Sequence, residues 1–368
     1  MADKKKALLI VNPCAGKTKS RAGTFDIIDK FSKSEYEFSI HPTKCQGDAT
    51  NIVKNELDAH DMVVCCGGDG TLNETINGVI NMPRRAPIGY IPSGTTNDLA
   101  TSIGLPTNFA EAADVIIKGH TNDYDIGLFN NRCFCYVASF GAFARSSYST
   151  PQKYKNMFGH AAYVAAAVPQ VFEIHPTKMR IEYDGGVIED EFMFGAVSNS
   201  LSVGGFFKLP DDKVKFNDGQ FEVLLVRKAS VLRNIIPTLA KVRKQQYDGK
   251  MIMMFQTRKL KITAPDEEVA WTLDGEYGGK HHNVMINVLE RAVEIFSPEN
   301  PHFIPRPEPV AVEEEAKEEK AEKAESRFFK RKNKADKDSD EDASFSASLS
   351  ISINTSDDEE KAEEIVEA

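Results

Sequence analysis

The feature that most restricts the fold is the stretch from Met62 to Glu74. The apolar run Met62-Val63-Val64-Cys65-Cys66 breaks on Gly67-Gly68. Asp69-Gly70 follow, and then Leu72, Ile76, Val79 and Ile80 recur on one side of a helical pattern. A short continuous apolar run bounded by glycine reads as a buried strand. Strand, glycine turn and helix start bring backbone N–H groups together where the helix dipole adds partial positive charge, an arrangement suited to phosphate. The glycines permit close backbone approach, and Asp69 offers a carboxylate to a metal ion accompanying the phosphates. An ordinary βα turn has the same outline, so the stretch takes its meaning from the rest of the chain.

The flanking sequence repeats the grammar. Lys6–Val11 reads as a strand ending at Asn12-Pro13-Cys14-Ala15-Gly16-Lys17-Thr18, with a helix over Lys17–Phe31. A Walker A loop would need glycine at position 11, which is Val11, so that motif is excluded. Lys17 suits a phosphate contact or a solvated helix start. Glu35–Thr43 alternates as a second strand, and a helix with Asp48 as N-cap runs to Leu57. Asp61–Cys66 is the third strand. Pro87–Pro92 is a fourth, ending in Ser93-Gly94-Thr95-Thr96-Asn97-Asp98, and a helix covers Phe109–Lys118. Strands alternating with helices at this spacing form a parallel, doubly wound sheet. Its ligands bind beyond the carboxyl ends of the strands, where the turns at Asn12, Gly67 and Ser93 all fall.

After Lys118 the pattern changes to mostly β. Asp123–Phe129 and Arg132–Phe140 read as a hairpin turned at Asn130-Asn131. Met179–Tyr183 and Val187–Ser198 read as a second, turned at Asp184-Gly185-Gly186. Strands follow at Phe221–Arg227, Met251–Thr257, Lys259–Ala264 and Val284–Val288, interrupted by helices at Tyr154–Phe172 and Ser230–Gln246. The basic face of the Ser230 helix suits an anionic membrane surface or plain solvation. Ala292–Phe296 has no place in this half and should return to the first half or bridge the two. The reading is therefore an α/β domain over residues 1–125, completed by about 290–304, and a mostly-β domain over 126–289. From Pro305 a proline linker leads into an acidic Glu/Lys/Ala tract, the basic Phe328–Lys334 cluster and an alternating serine segment, Ser344–Ile353. Residues 305–368 carry too little apolar surface to fold alone. The serine segment suits strand addition to a partner of unknown identity, or is low-complexity drift.

Much of the net charge of −10 comes from that tail, so the acidic balance does not exclude anionic ligands. Cys14, Cys45, Cys65, Cys66, Cys133 and Cys135 show neither CxxC pairs nor zinc-spaced histidines, and read as reduced thiols of a cytoplasmic protein. The basic start Met1–Lys6 precedes an apolar run too short for a signal peptide, and no segment is long enough for a membrane span. Basic clusters are small and scattered, which excludes a nucleic-acid module.

Two acidic turns complete the set. In Trp271-Thr272-Leu273-Asp274-Gly275-Glu276 a strand ends in a turn presenting two carboxylates, suited to a general base with a supporting acid, or simply an Asp-Gly turn. Asp211–Gly219 is an acidic loop that suits a divalent cation or plain solvation. Together the residues describe phosphoryl transfer: glycine turns cradle a nucleotide, carboxylates hold Mg²⁺, and a glutamate deprotonates a hydroxyl.

Gly67-Gly68-Asp69-Gly70-Thr71-Leu72-Asn73-Glu74, Pro92-Ser93-Gly94-Thr95-Thr96-Asn97-Asp98 and Leu273-Asp274-Gly275-Glu276 resemble the signatures of the diacylglycerol kinase catalytic family, nearest its soluble bacterial members. The resemblance covers about Lys5 to Pro301. It implies a three-layer α/β nucleotide-binding domain of the NAD kinase and phosphofructokinase kind, a β-sandwich domain, and an active site between them. It implies ATP contacts at Asn12, Pro13, Cys14, Ala15, Gly16, Thr43, Gly68, Asp69, Gly70, Thr71, Leu72, Asn73, Glu74 and Thr95. It implies Glu276 as proton acceptor with Asp274 beside it, and Asp69, Asp98 and Asp125 around a catalytic Mg²⁺. A second, structural Mg²⁺ would use Asp218 and main-chain oxygens near Lys215 and Gln220. The function implied is an ATP-dependent lipid kinase making phosphatidate from diacylglycerol. The same chemistry on a sphingoid base, ceramide, polyprenol or phosphatidylglycerol, or a non-catalytic nucleotide-binding regulator, are the alternatives. A homodimer and a peripheral contact with the inner face of the membrane accompany the resemblance.

Overall fold

The computed structural model describes residues 4–16, 19–141, 176–203, 207–210, 212–228, 249 and 251–306. The expected helices at Tyr154–Phe172 and Ser230–Gln246, Lys17, and the whole tail from residue 307 lie outside the described residues.

The first half runs β1 (Lys5–Val11), α1 (Lys19–Ser32), β2 (Tyr36–Pro42), α2 (Asp48–Glu56), β3 (Met62–Gly67), α3 (Asp69–Ile80), β4 (Ile88–Pro92), α4 (Asp98–Ser102) and α5 (Phe109–Lys118). The strands lie parallel in the order β4-β3-β1-β2. Alternation along each strand creates the layers. Ala7, Leu9, Val11, Val64 and Cys66 face Ile27 and Phe31 of α1 and Ala112 and Ile116 of α5. Leu8, Ile10, Val63 and Cys65 face Val53 of α2 and Leu72, Ile76 and Val79 of α3. Burying apolar residues on both strand faces is the arrangement of a three-layer α/β domain. Helix ends are set locally. The Asn108 side chain accepts from the amides of Ala110 and Glu111 at the start of α5, and Gly119 ends that helix at φ 80°. Asp48 is not an N-cap: Gly47 holds that position at φ 86°, and Asp48 instead accepts the Lys44 amide at 2.6 Å.

The second half adds β5 (Thr121–Phe129), β6 (Arg132–Phe134), β7 (Val137–Gly141), β8 (Thr177–Tyr183), β9 (Gly186–Ser198), β10 (Ser202–Val203), β11 (Phe207–Lys208), β12 (Phe221–Arg227), β13 (Ile252–Thr257), β14 (Lys259–Thr263), β15 (Val269–Leu273), β16 (Glu276–His281) and β17 (Asn283–Phe296). These pair antiparallel along β16-β15-β7-β9-β8-β14-β17, with β12 between β9 and β13. Their core is aromatic: Trp271, 1% exposed, lies 5.0 Å from Phe129 and 4.9 Å from Phe140, centroid to centroid.

The structure also corrects the sequence reading in two strands. Arg132–Phe140 is not one strand: it breaks at Cys135-Tyr136 into β6 and β7. Val284–Val288 and Ala292–Phe296 are one strand, β17, whose register against β5 shifts between Leu289 and Val293. The shift places residues 290–292 opposite Asp125, and Arg291 takes φ 48° within it. Beyond the shift Ile295 pairs in parallel with Ile88 of β4, so one sheet runs through both halves. The segment after β17 packs on as well. Phe303 contacts Phe216 and Tyr124, and Arg306 is paired with Asp123 and Glu294.

Candidate active site

The carboxyl ends of β1, β2, β3 and β4 are tied edge to edge. The Asn12 amide donates to Cys66 O at 2.8 Å, the Ser93 amide to Gly67 O at 2.8 Å, and the Thr43 amide to Val11 O at 2.9 Å. The turns that follow converge on one cleft of about 880 Å³. Asn12, Cys14, Ala15, Gly16, Thr43, Gly68, Asp69, Gly70, Thr71, Glu74, Thr95 and Glu276 all line it. The first turn is pinned by its own asparagine: Oδ1 of Asn12 accepts the Cys14 amide and Nδ2 donates to Thr71 Oγ1, both at 2.9 Å. At the floor two turns touch backbone to backbone. A Cβ on Gly94 would lie 2.7 Å from Gly68 Cα, so no larger residue fits there. Gly68 precedes α3 without a side-chain cap bond, and Gly68, Asp69, Gly70 and Thr71 at that helix start line the cleft.

Asp69 stands at the start of α3. Its Oδ2 receives the Asp98 amide at 3.4 Å, while Oδ1 is buried without a hydrogen-bond partner. Burial, then the carboxylates of Asp98 and Asp274, push its pKa up to about 7. An orphaned, buried carboxylate oxygen beside a second carboxylate is a fit for a divalent cation. Among the described residues no three His, Cys, Asp or Glu side chains gather into a metal cage, so an ion here needs further oxygens from a ligand.

Glu276 arrives from the other half. Asp274 and Gly275, at φ 50° and 81°, make the two-residue turn between β15 and β16, for which Asp-Gly is a preferred pair. The turn aims Glu276 at α3: a Cβ on Gly70 would lie 2.9 Å from Glu276 Oε1. Partial burial raises the Glu276 pKa, Glu74 adds to the rise, and Arg132 opposes it.

Asp274 itself faces away from the cleft. Oδ1 accepts the amides of Tyr136 at 3.0 Å and Val137 at 3.1 Å, and Oδ2 accepts the Cys135 amide at 2.6 Å and Asn73 Nδ2 at 2.8 Å. These bonds are why the chain breaks at Cys135-Tyr136: the amides leave the sheet to meet a carboxylate. The Asn73 side chain is thus engaged with Asp274, and Leu72 is buried in the core against α2. Pro13 is in the first turn but does not line the cleft. Glu74 lines it, yet its carboxylate accepts the Gly47 amide at 2.8 Å and the Ala49 amide at 3.3 Å, which ties the 43–47 turn to α3.

Asp125 does not share the setting of Asp69 and Asp98. Its oxygens are taken by the amides of Gly219 at 2.7 Å and Arg291 at 2.6 Å, and its acidic neighbours are Asp218 and Glu290. Burial pushes its pKa up to about 6. Asp218 accepts the Gln220 amide at 2.9 Å, and Lys215 reaches Pro301 O at 2.6 Å, which fastens this loop to the segment after β17. Sequence reasoning missed Gln46, whose Nε2 lies 3.5 Å from Glu276 Oε2, together with Lys44, Cys45, Gly94 and Thr96 as cleft residues. The Gly94 and Thr96 positions follow from the Ser93 turn; Gln46 carries no signal of its own.

Two family models match consecutive stretches of the chain. Residues 6–129 match the diacylglycerol kinase catalytic domain family, and residues 137–297 match the YegS C-terminal NAD kinase beta sandwich-like domain family. The chain is 34% identical over 296 residues to a diacylglycerol kinase of Bacillus subtilis (strain 168), spanning 80% of this chain and 97% of that protein. It is 36% identical over 299 residues to a diacylglycerol kinase of Staphylococcus epidermidis, spanning 81% and 93%. A crystal structure of a candidate diacylglycerol kinase from Bacillus anthracis str. Sterne superposes with TM-score 0.70 at 28% identity, covering 83% of this chain and 98% of that one. A glycine turn, Asp69 and the facing Glu276 share one cleft, and the chain belongs to the diacylglycerol kinase family.

Proposed function

We propose that the chain transfers the γ-phosphoryl group of ATP to the free hydroxyl of diacylglycerol, giving phosphatidate. One observation supports this above the rest: the Glu276 carboxylate lies over Gly70, at the helix terminus where the phosphate-binding turn opens. The turns at Asn12–Gly16, Gly68–Thr71 and Thr95 take the nucleotide. Amides of the α3 terminus donate to phosphate oxygens. An alcohol attacks poorly while it keeps its proton, and Glu276, raised in pKa by burial and by Glu74, accepts that proton as the oxygen bonds to phosphorus. Asp69 and Asp98 would hold Mg²⁺, which would supply positive charge against the phosphates. Glu74, Asn73 and Asp274 orient the parts without touching the nucleotide.

Among the described residues no helix is long and apolar enough to cross a membrane. We place the protein as a peripheral visitor that meets its lipid at a membrane surface. The test is purified protein, labelled ATP and a panel of lipids in mixed micelles. Labelled phosphatidate supports the reading. Product from a sphingoid base or polyprenol, with none from diacylglycerol, overturns the acceptor. Glu276→Gln with undiminished turnover removes the base.

A further inference from the structure

Two motif residues of this chain have their side chains turned to one another across the two halves. Asn73 stands on the face of α3 that also carries Gly70, since residues three apart share a helix face. Its amide is orientated from behind: Asn77 Nδ2 donates to Asn73 Oδ1 at 2.9 Å and to Asn73 O at 2.8 Å, which leaves Asn73 Nδ2 facing out. That nitrogen meets Asp274 Oδ2 at 2.8 Å and Cys133 O at 3.3 Å. Asp274 holds three further amides, and its own amide donates to Val137 O at 2.8 Å. With both oxygens engaged and only 8% of its surface exposed, it has no free lone pair pointing at a substrate. Two residues further on, the same hairpin presents Glu276.

We propose that Asn73 and Asp274 form a latch: they are positioning residues that hold the Glu276 carboxylate over the first turn of α3, and Asp274 is not itself a proton carrier. The proposal rests on Glu276 being the general base. The helix that presents the phosphate-binding amides and the hairpin that carries the base are then fixed to each other by one side-chain bond at Asn73, one turn of helix from the reacting end. Its distinguishing consequence is kinetic. The latch sets where the base stands and leaves the nucleotide turns alone, so its loss lowers kcat while nucleotide affinity stays.

The experiment uses the full chain with Asn73→Asp, Asp274→Asn and the pair together. Asn73→Asp sets a carboxylate against a carboxylate. Asp274→Asn keeps a residue tolerated at positive φ, so the turn survives, but turns an NH₂ toward donors. The exchange of the two restores a donor–acceptor pair between the positions. Each single variant is expected to lose roughly tenfold to 10²-fold in kcat, the usual scale for misplacing a reacting group by about 1 Å. Nucleotide Kd should stay within about threefold, and the double variant should recover by about fivefold or more over either single, since a directly bonded pair is non-additive. Asn73→Ala serves as the second probe if Asp274→Asn does not fold; its melting curve reports folding separately. Wild-type kcat in folded Asn73→Ala overturns the latch, as does a double variant whose losses simply multiply. Glu276→Gln in parallel separates the two ideas: full activity there refutes the base, whereas an inactive Glu276→Gln beside a fully active Asn73→Ala refutes the latch alone.

Discussion

Replacing Gly70 by alanine separates activity from stability. Gly70 is the second residue of α3 and has a helical backbone, so alanine brings no conformational strain. Alanine favours a helix by up to about 1 kcal/mol over glycine. Beyond its own helix backbone and chain neighbours, the added Cβ would meet Glu276 Oε1 at 2.9 Å and Glu276 Cδ at 3.9 Å. An ordinary carbon–oxygen contact is nearer ~3.4 Å, so the carboxylate must retreat by about 0.5 Å. It has room to do so, because the carboxylate ends a flexible, partly exposed side chain that meets Gln46 Nε2 at 3.5 Å. The fold therefore loses nothing, while the base is pushed off its station. Displacement on that scale costs about 10- to 10²-fold in rate, or roughly 1.4–2.8 kcal/mol in barrier. The measurements are kcat, KM for ATP and a thermal melt on the same preparation. We expect kcat to fall, KM for ATP to stay nearly level, and Tm to hold or rise. Full activity would show that Glu276 does not stand over Gly70 during turnover, and a large drop in Tm would show that the contact is not with a movable carboxylate.

The neighbouring glycine should behave oppositely: Gly94→Ala sets a Cβ 2.7 Å from Gly68 Cα, backbone against backbone, so a melt should show a clear loss of Tm together with loss of nucleotide binding. Because the raised Glu276 pKa must be exceeded before the carboxylate accepts a proton, kcat/KM should climb with pH through a pKa above the ordinary glutamate value, and a profile that stays flat from neutral pH down through the ordinary carboxylate range would remove a titrating base. Cys14 and Cys45 are exposed in the cleft, whereas burial shields Cys65 and Cys135 and pushes Cys66 up to about 12. Mass mapping after a short alkylation should find the first two modified, the last three intact, and modification slowed by MgATP. Ending the chain at Phe296 discards Phe303 and the Arg306 ion pairs to Asp123 and Glu294 and should lower Tm by several degrees, while ending it after Arg306 should not.

The sequence made some of this legible and hid the rest for definable reasons. The β3–α3 turn and the Asp274-Gly275 turn are written locally, in glycine placement and in an Asp-Gly pair, so both are readable from a few residues. The alternation in β1 and β3 likewise announces helices on both faces. The break at Cys135-Tyr136 has no local cause. Its amides bend toward a carboxylate 139 residues away, and Arg132–Phe140 looks like unbroken strand without that partner. Asp125 joins the expected acids around a catalytic Mg²⁺ only through the family resemblance. Its true setting depends on the extra residues that β17 inserts opposite it, and a register shift of that kind leaves no composition signal. Gln46 is invisible for a similar reason: its value comes from Glu276, 230 residues along the chain.

The pairing of β17 also bears on the order in which the molecule is made. β5 and the free side of β4 take their partners from residues 286–296, near the end of the described residues. Until the ribosome has delivered that strand, the first half has its nucleotide turns in place but two strands with bare backbone along one side. Such edges invite pairing with other chains, and domains whose closing contacts are far apart in sequence gather slowly and remain exposed meanwhile. A nascent chain halted near residue 129 should therefore be a chaperone client and aggregate when released, and the same chain carried through Arg306 should not. The strand that joins the halves also ends the vulnerable interval in biosynthesis.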